Sequence, residues 1–153
     1  YSIGSRCKRL SFGDMIQLTP YLNFEGNCRE AMLYYQQCLG GELRLQPVAE
    51  SPMSAQMPAE TGNQILHAVL EKEGKILLLA SDMLGNKRVG GNSITLSIYF
   101  QQLDETQVAF EKLAQNGVVT QPLHQTFWGA TLGMLTDKFG NHWIFHFSKR
   151  PNS

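Results

Sequence analysis

The sequence predicts an α+β fold in which two tandem βαβββ modules form a partly open, curved mixed sheet around a cavity. This prediction depends first on a repeat, because each half contains a strand of alternating polarity, a helix start and a glycine-containing helix end in the same order. It depends also on a matching turn, Glu71-Lys72-Glu73-Gly74 in one half and Asp137-Lys138-Phe139-Gly140 in the other, ahead of an apolar strand. We expect two copies of one unit to build one site between them.

The first strand and the helix of each module are indicated by periodicity and by capping residues. Polar and apolar side chains alternate over 19–24 and 94–100, which is typical of a strand with one face packed on a helix. Helix starts are predicted at Asn27 and Asp104, each with a Glu or Gln three residues later, close to the capping-box pattern.

The second half of each module is predicted to contain three strands. Both helices are expected to end in a left-handed turn, at Gly40-Gly41 and at Asn116-Gly117. The strands that follow are predicted at 42–46, 65–71, 75–82, 118–122, 130–136 and 141–148. The first module has an additional segment, 47–63, rich in Pro and Met. Such a segment is typical of an adaptable lid or of a plain mobile loop, and both interpretations stay open.

Length and charge limit the domain count and the classes of partner. With 153 residues and 42% apolar content, the chain can form one compact domain but not two ordinary ones. We expect this domain at 15–150, with modules at 15–84 and 92–148, and interpret residues 1–14 as a tag or a disordered extension.

The 13 basic and 13 acidic residues balance, so neither nucleic acid nor a membrane surface is expected as a partner. A cytoplasmic location is the expectation, because no segment approaches the roughly 20 apolar residues of a membrane span.

Several motifs spread over residues 17–148 are shared with a known superfamily. The more specific of them are Thr126-Phe127-Trp128-Gly129 and Thr136-Asp137-Lys138-Phe139-Gly140, together with the segments 19–24 and 26–31. In these motifs the chain resembles the vicinal oxygen chelate (glyoxalase/bleomycin resistance/dioxygenase) superfamily, and within it the PhnB-like subgroup. The resemblance implies curved sheets around a cavity, and commonly a homodimer that completes two sites. The methyltransferase label that some of this subgroup carry is not supported, because no Gly-rich turn connects a strand to a helix.

The metal ligands of the superfamily are not found at the matching positions. Metal-dependent members place a His near the start of each module's first strand and a Glu on each last strand. The corresponding positions here are 17–20, 93–95, Leu78 and Ile144, and none holds His or Glu. His142 and His146 lie on one strand face but roughly 13 Å apart, so they cannot chelate one ion together. We therefore predict no cofactor and no resident divalent metal.

Candidate ligand-binding residues are those expected on the strand faces that point away from the helices. These faces combine aromatic rings with a few hydrogen-bonding groups, as small-molecule sites do. With an aromatic residue at a strand junction added, the predicted ligand-binding residues are Tyr21, Asn23, Ser97, Tyr99, Trp128, His142 and His146. His67 and Asp82 are the predicted catalytic residues, as a general base with an orienting acid. A structural His–Asp hydrogen bond is the alternative for that pair, and core packing is the alternative for Trp128.

Three functions remain open on the sequence. The first is a small-molecule-binding protein that has lost the ancestral metal and supports lyase, isomerase or transferase chemistry, although whether it is an enzyme stays open. The second is a non-catalytic, drug-sequestering dimer of the bleomycin-resistance kind. The third is a dimeric scaffold with a vestigial cavity.

Overall fold

Two four-stranded mixed sheets, each accompanied by one helix, make up the fold. The computed structural model describes residues 16–57 and 59–148. The predicted extension, 1–14, lies outside the described residues. The two-module α+β prediction is confirmed, and the sheets are separate and not closed into a barrel.

The first module contains one helix and four strands. Their bounds are β1 Tyr21–Phe24, α1 Cys28–Leu39, β2 Glu42–Pro47, β3 Ile65–Lys72 and β4 Lys75–Asp82. The strand order is β1-β4-β3-β2. β1 runs parallel to β4, with Tyr21 opposite Leu79, and the other neighbours are antiparallel. The free edge of β1 is therefore one border of the sheet.

The second module repeats this arrangement. Its elements are β5 Leu96–Phe100, α2 Leu103–Ala114, β6 Val118–Gln125, β7 Thr131–Thr136 and β8 His142–Phe147. The order β5-β8-β7-β6 matches that of the first sheet, and β5 is parallel to β8 with Ser97 opposite Ile144. Tyr21 and Asn23 on β1 thus correspond to Ser97 and Tyr99 on β5.

One continuous hydrophobic core joins the two modules. Alternation places Phe24 of β1 and Phe145 of β8 on the inner faces of their sheets, and both are fully buried. The same cluster contains Tyr35 of α1 and Leu113 of α2. Because the inner faces of both sheets contribute to one core, their outer faces point away from it.

The helix starts depart from the predicted capping boxes. The Asn27 side chain accepts a hydrogen bond from the Glu25 backbone and does not cap α1. Asp82, at the end of β4, supplies the missing acceptor, since its Oδ1 accepts the N–H groups of Gly26 and Cys28 at 2.8 and 3.0 Å. α2 begins one residue before Asp104, and no side chain caps it. At the start of α1, a tertiary contact thus takes the place of the predicted local cap.

The connection at 47–63 contains short 3₁₀ turns at Val48–Glu50, Pro52–Gln56 and Ala59–Thr61. Val48 is 1% exposed, and its N–H donates to the carbonyl of Gln64 at 2.9 Å. Ser51 is also buried and donates its hydroxyl to the Val48 carbonyl. The start of this segment is thus anchored by burial and hydrogen bonds.

Gly117 marks a close approach between α2 and β7. A Cβ at Gly117 would lie 2.3 Å from the carbonyl oxygen of Thr136, and the corresponding Gly41 would place one 2.5 Å from that of Glu71. Overpacking of this kind costs about 1–3 kcal/mol. Glycine is therefore required at both module corners.

We predict that Gly117→Ala lowers the free energy of unfolding by about 1–3 kcal/mol, because the backbone of β7 must shift to admit the methyl group. Gly90→Ala is the matched control, since a Cβ at Gly90 meets nothing within 4 Å. Its effect should stay within about 0.5 kcal/mol. Urea unfolding followed by circular dichroism measures both, and equal stabilities of the two variants would contradict the close-approach argument.

Candidate functional site

A cavity of about 540 Å³ lies at the junction of the modules, beside the free edge of β1. We call it the junction cavity. Its walls come from three places: β1, the linker between β4 and β5, and the turn that leads into β8. They are formed by Tyr21, Leu22, Asn23, Met83, Arg88, Val89, Gly90, Gly91, Ser93, Ile94, Leu96, Gly140, Asn141 and His142. Apolar walls with a few polar groups are typical of small-molecule sites.

Three of the predicted ligand-binding residues meet in the junction cavity. Tyr21 and Asn23 lie on the outer face of β1, and His142 begins β8. His142 Nε2 lies 2.8 Å from the Gly91 carbonyl, and Nδ1 lies 2.8 Å from the Thr136 hydroxyl. A carbonyl can only accept, so Nε2 carries a proton and donates to Gly91, whereas the Thr136 hydroxyl can either donate to Nδ1 or accept from it. His142 thereby holds the linker against the start of β8.

The other predicted ligand-binding residues lie on or near the outer face of the second sheet. The rings of Tyr99 and His146 stack with centroids 4.2 Å apart and planes inclined by 7°. Burial lowers the pKa of His146 below its ordinary value, which favours the neutral ring. Ser97, two residues before Tyr99, is exposed on the same strand face. Trp128, in the turn between β6 and β7, is 59% exposed and contacts Phe127 edge to face.

The predicted catalytic pair is not formed. His67 is exposed on the outer face of β3, where its ring lies 6.1 Å from that of Tyr21. Asp82 is buried on the inner side, and its Oδ2 accepts the N–H of Ile65 at 2.7 Å, in addition to the two bonds from the start of α1. The structure thus places the two residues on opposite faces of the sheet, because strand alternation separates them. Asp82 therefore has a structural role and does not orient His67.

The donor set does not fit a resident metal. Within residues 16–57 and 59–148, no group of three His, Cys, Asp or Glu side chains is close enough to hold an ion. The cross-strand pairs nearest the superfamily's ligand positions are Tyr21 with Leu79 and Ser97 with Ile144. A hydroxyl facing an aliphatic side chain is a poor ligand set for a divalent ion. No chemical step is therefore assigned to a metal.

A buried carboxylate joins the modules below the junction cavity. Asp137 is 3% exposed, and its Oδ2 accepts the Tyr35 hydroxyl at 2.6 Å and the Trp143 indole N–H at 2.8 Å. Its Oδ1 accepts the N–H groups of Phe139 and Asn141 at 2.8 and 3.1 Å. Four donors compensate the cost of burying this charge. The sequence pattern identifies this segment only as a turn.

Two cavity residues were missed by the sequence analysis. Asn141 begins a predicted strand and was not singled out as a site residue, yet its side-chain N–H donates to the Tyr35 hydroxyl at 2.8 Å and its side-chain oxygen accepts from Arg88 at 3.0 Å. Arg88 was not singled out, because a lone basic residue in a linker is usually solvated. The glycines that flank it, Gly85, Gly90 and Gly91, were the available signal that this linker follows a constrained path.

Comparison with known proteins decides the family. The sequence profile of the Glyoxalase/Bleomycin resistance protein/Dioxygenase superfamily matches residues 18–145. The chain belongs to this superfamily. Protein YjdN from Escherichia coli (strain K12) is 37% identical over 142 residues, which cover 87% of this chain and 96% of YjdN.

Solved structures agree on the fold. Protein PA1353 from Pseudomonas aeruginosa is 38% identical with a TM-score of 0.77, and the match covers 88% of this chain and 98% of PA1353. The PhnB protein from Bacillus cereus has a TM-score of 0.70 at 23% identity, over 87% of this chain and all of that one, and so supports the fold alone. PhnB-like proteins are therefore among the structural neighbours, as the sequence motifs indicated.

We predict that Tyr35→Phe lowers the free energy of unfolding by about 1–3 kcal/mol below pH 10, because Asp137 and Asn141 each lose a partner. Burial, followed by the Asp137 charge, raises the pKa of Tyr35 above its ordinary 10.0. The unfolded chain therefore ionises first, and the advantage of Tyr35 over Phe is lost as the pH rises above 10.0, at about 1.4 kcal/mol per pH unit.

Urea unfolding below and above pH 10 measures this difference. Exposed Tyr21→Phe is the control and should change stability by less than about 0.5 kcal/mol. A stability gap between wild type and Tyr35→Phe that does not change with pH would contradict the buried-hydroxyl interpretation.

Proposed function

We propose that this chain is a small-molecule-binding protein whose ligand occupies the junction cavity without a resident metal. One observation carries the proposal: Tyr21, Asn23 and His142, three of the predicted ligand-binding residues, line one cavity of about 540 Å³. That volume lies within the usual range for small organic ligands. Membership of the superfamily and the PhnB-like neighbours support the fold on which this site is built.

Binding is favoured over proton-transfer catalysis. A general base needs an orienting partner within hydrogen-bond reach, and both oxygens of Asp82 already accept backbone N–H groups. His142, the imidazole that does line the junction cavity, is held at both nitrogens. No reaction is therefore part of the proposal.

The drug-sequestering alternative is less favoured for cationic drugs. Such a ligand requires acidic groups, and the residues that line the junction cavity include no Asp or Glu. The fold is compatible with sequestration of other compounds, and recovery of an unmodified drug from expressing cells would distinguish that role from catalysis.

A second copy of the chain is the proposed partner. The outer face of the second sheet leaves Tyr99 65% exposed and Trp128 59% exposed, beside Phe127 at 97%. Large apolar groups exposed to this extent are typical of interaction sites. Since the outer faces point away from the shared core, a homodimer is what would cover them, as the resemblance also implies.

Ligand binding is tested by titrating isotope-labelled protein with benzamide and with benzoate at millimolar concentration. We predict that at least one probe shifts the backbone amide signals of Gly90, Gly91 and His142, because these residues line the junction cavity. Tyr21→Ala/Asn23→Ala should weaken binding at least tenfold, a loss of about 1.4 kcal/mol. Ser97→Ala/Tyr99→Ala changes the corresponding positions of β5 and should leave binding unchanged.

The paired variants make the outcome decisive. Loss of binding only in the β5 variant would place the ligand on the other sheet and contradict the proposal. If neither double variant changes binding, the ligand does not depend on these residues, and the third function, a scaffold with a vestigial cavity, would be favoured.

The dimer is tested by light scattering after gel filtration. We predict a dimer for the wild type and a monomer for Tyr99→Glu, because burying an unpaired carboxylate opposes association. Val108→Glu is the matched control, since Val108 is an exposed apolar residue of α2 at 51% exposure. A monomeric wild type would contradict the proposed partner.

A further inference from the structure

Arg88 is held in a fixed position at the junction cavity. Its guanidinium donates from Nη1 to the Phe139 carbonyl and from Nη2 to the Asn141 side chain, both at 3.0 Å. The guanidinium carbon also lies 5.6 Å from the centre of the Phe24 ring. Its backbone N–H donates to Glu25 at 2.6 Å. These contacts fix the side chain before any ligand arrives, which reduces the entropy cost of binding.

The charge of Arg88 is not neutralised within the described part of the chain. The ion pair seen among those residues joins Arg44 to Glu71, far along the first sheet, and no described carboxylate reaches the Arg88 guanidinium. Glu25 contacts its backbone and not its charged group. The polar side chains around it in the junction cavity, such as Ser93 and Asn141, are neutral. The cavity therefore carries one formal positive charge.

The guanidinium also retains hydrogen-bonding capacity. It has five N–H groups, of which two have the acceptors named above. A carboxylate or phosphoryl group can accept two of the others in parallel, in the geometry for which arginine is best suited. Aliphatic side chains complete the walls, namely Leu22, Met83, Val89, Ile94 and Leu96. Charge at one end and apolar surface at the other fit an organic anion.

We propose that the junction cavity selects a small organic anion, whose carboxylate or phosphoryl group binds Arg88 while its apolar body contacts the aliphatic wall. This inference rests on the proposed function and names the ligand class for the same site. The neutral hydrogen-bonding groups of Tyr21 and Asn23 then set the orientation of the body and do not supply the charge.

The experiment compares benzoate with benzamide, which has nearly the same shape but no charge. Benzoate should bind about tenfold more tightly, because its carboxylate is charged and can accept two N–H groups of the guanidinium in parallel, whereas benzamide offers one neutral carbonyl oxygen. Phenyl phosphate is the third probe. Tighter binding of phenyl phosphate than of benzoate assigns a phosphoryl ligand, and the reverse order assigns a carboxylate.

Substitutions at Val89 test Arg88 without removing its structural contacts. Val89 adjoins Arg88, lines the cavity and is 87% exposed, so a polar side chain there leaves the fold intact. Val89→Gln, which has the shape of Glu without its charge, removes the same apolar wall contact and is the reference for both probes. Val89→Glu should bind benzoate about fivefold more weakly than Val89→Gln does, through charge repulsion, and should bind benzamide as Val89→Gln does.

The outcomes separate this inference from the proposed function. Equal affinity for benzoate and benzamide would overturn the anion preference while leaving the cavity as a binding site. A Val89→Glu variant that binds benzoate as Val89→Gln does would show that the charge is recognised elsewhere, and would also overturn it. Failure of all probes to bind would overturn both proposals.

Discussion

The buried carboxylate of Asp137 is the contact on which the arrangement of the modules depends. It accepts the hydroxyl of Tyr35, a residue 102 positions earlier in α1, and the indole N–H of Trp143 in β8. Without these donors a buried charge would be costly, and with them it favours one relative placement of helix and sheet. Hydrophobic contacts among the same rings allow sliding, whereas hydrogen bonds to one carboxylate specify direction. The modules therefore meet through their inner faces.

Because the modules pack through their inner faces, the positions at which a ligand can bind are restricted. This packing turns the outer sheet faces away from the shared core, and Tyr21 lines the junction cavity whereas Tyr99 does not. It also brings the turn before β8 against the linker, where Asn141 connects the Tyr35 hydroxyl to Arg88. The buried network and the cation of the junction cavity are thus parts of one hydrogen-bonded chain. A ligand on Arg88 would be positioned by the same contacts that hold the modules together.

The two modules differ in the polar contacts at the start of their helices. In the first, Asp82 at the end of β4 accepts two N–H groups at the start of α1. By strand register the corresponding residue of the second module is Phe147, which cannot accept a hydrogen bond. There, no side chain caps α2, and the Thr106 hydroxyl donates to the Gln102 carbonyl within the first turn. The repeat preserves backbone order, while the polar contacts at the helix starts differ.

The sequence by itself determined the strands, the helices and the faces of the strands. Alternation over β1 and β8 identifies Phe24 and Phe145 as inner and Tyr21 and His146 as outer, because side-chain direction follows from local backbone geometry. The sequence also predicted the left-handed turns after the helices, since the backbone adopts positive φ at Gly40 and Asn116.

Only the tertiary structure decided which polar atoms meet. It separated His67 from Asp82, changed Asp137 from a turn residue into the acceptor at the module interface, and placed Arg88 beside a cavity without a carboxylate. Periodicity carries no information on such contacts, because they join residues tens of positions apart. Their partners depend on how two sheets pack around one core.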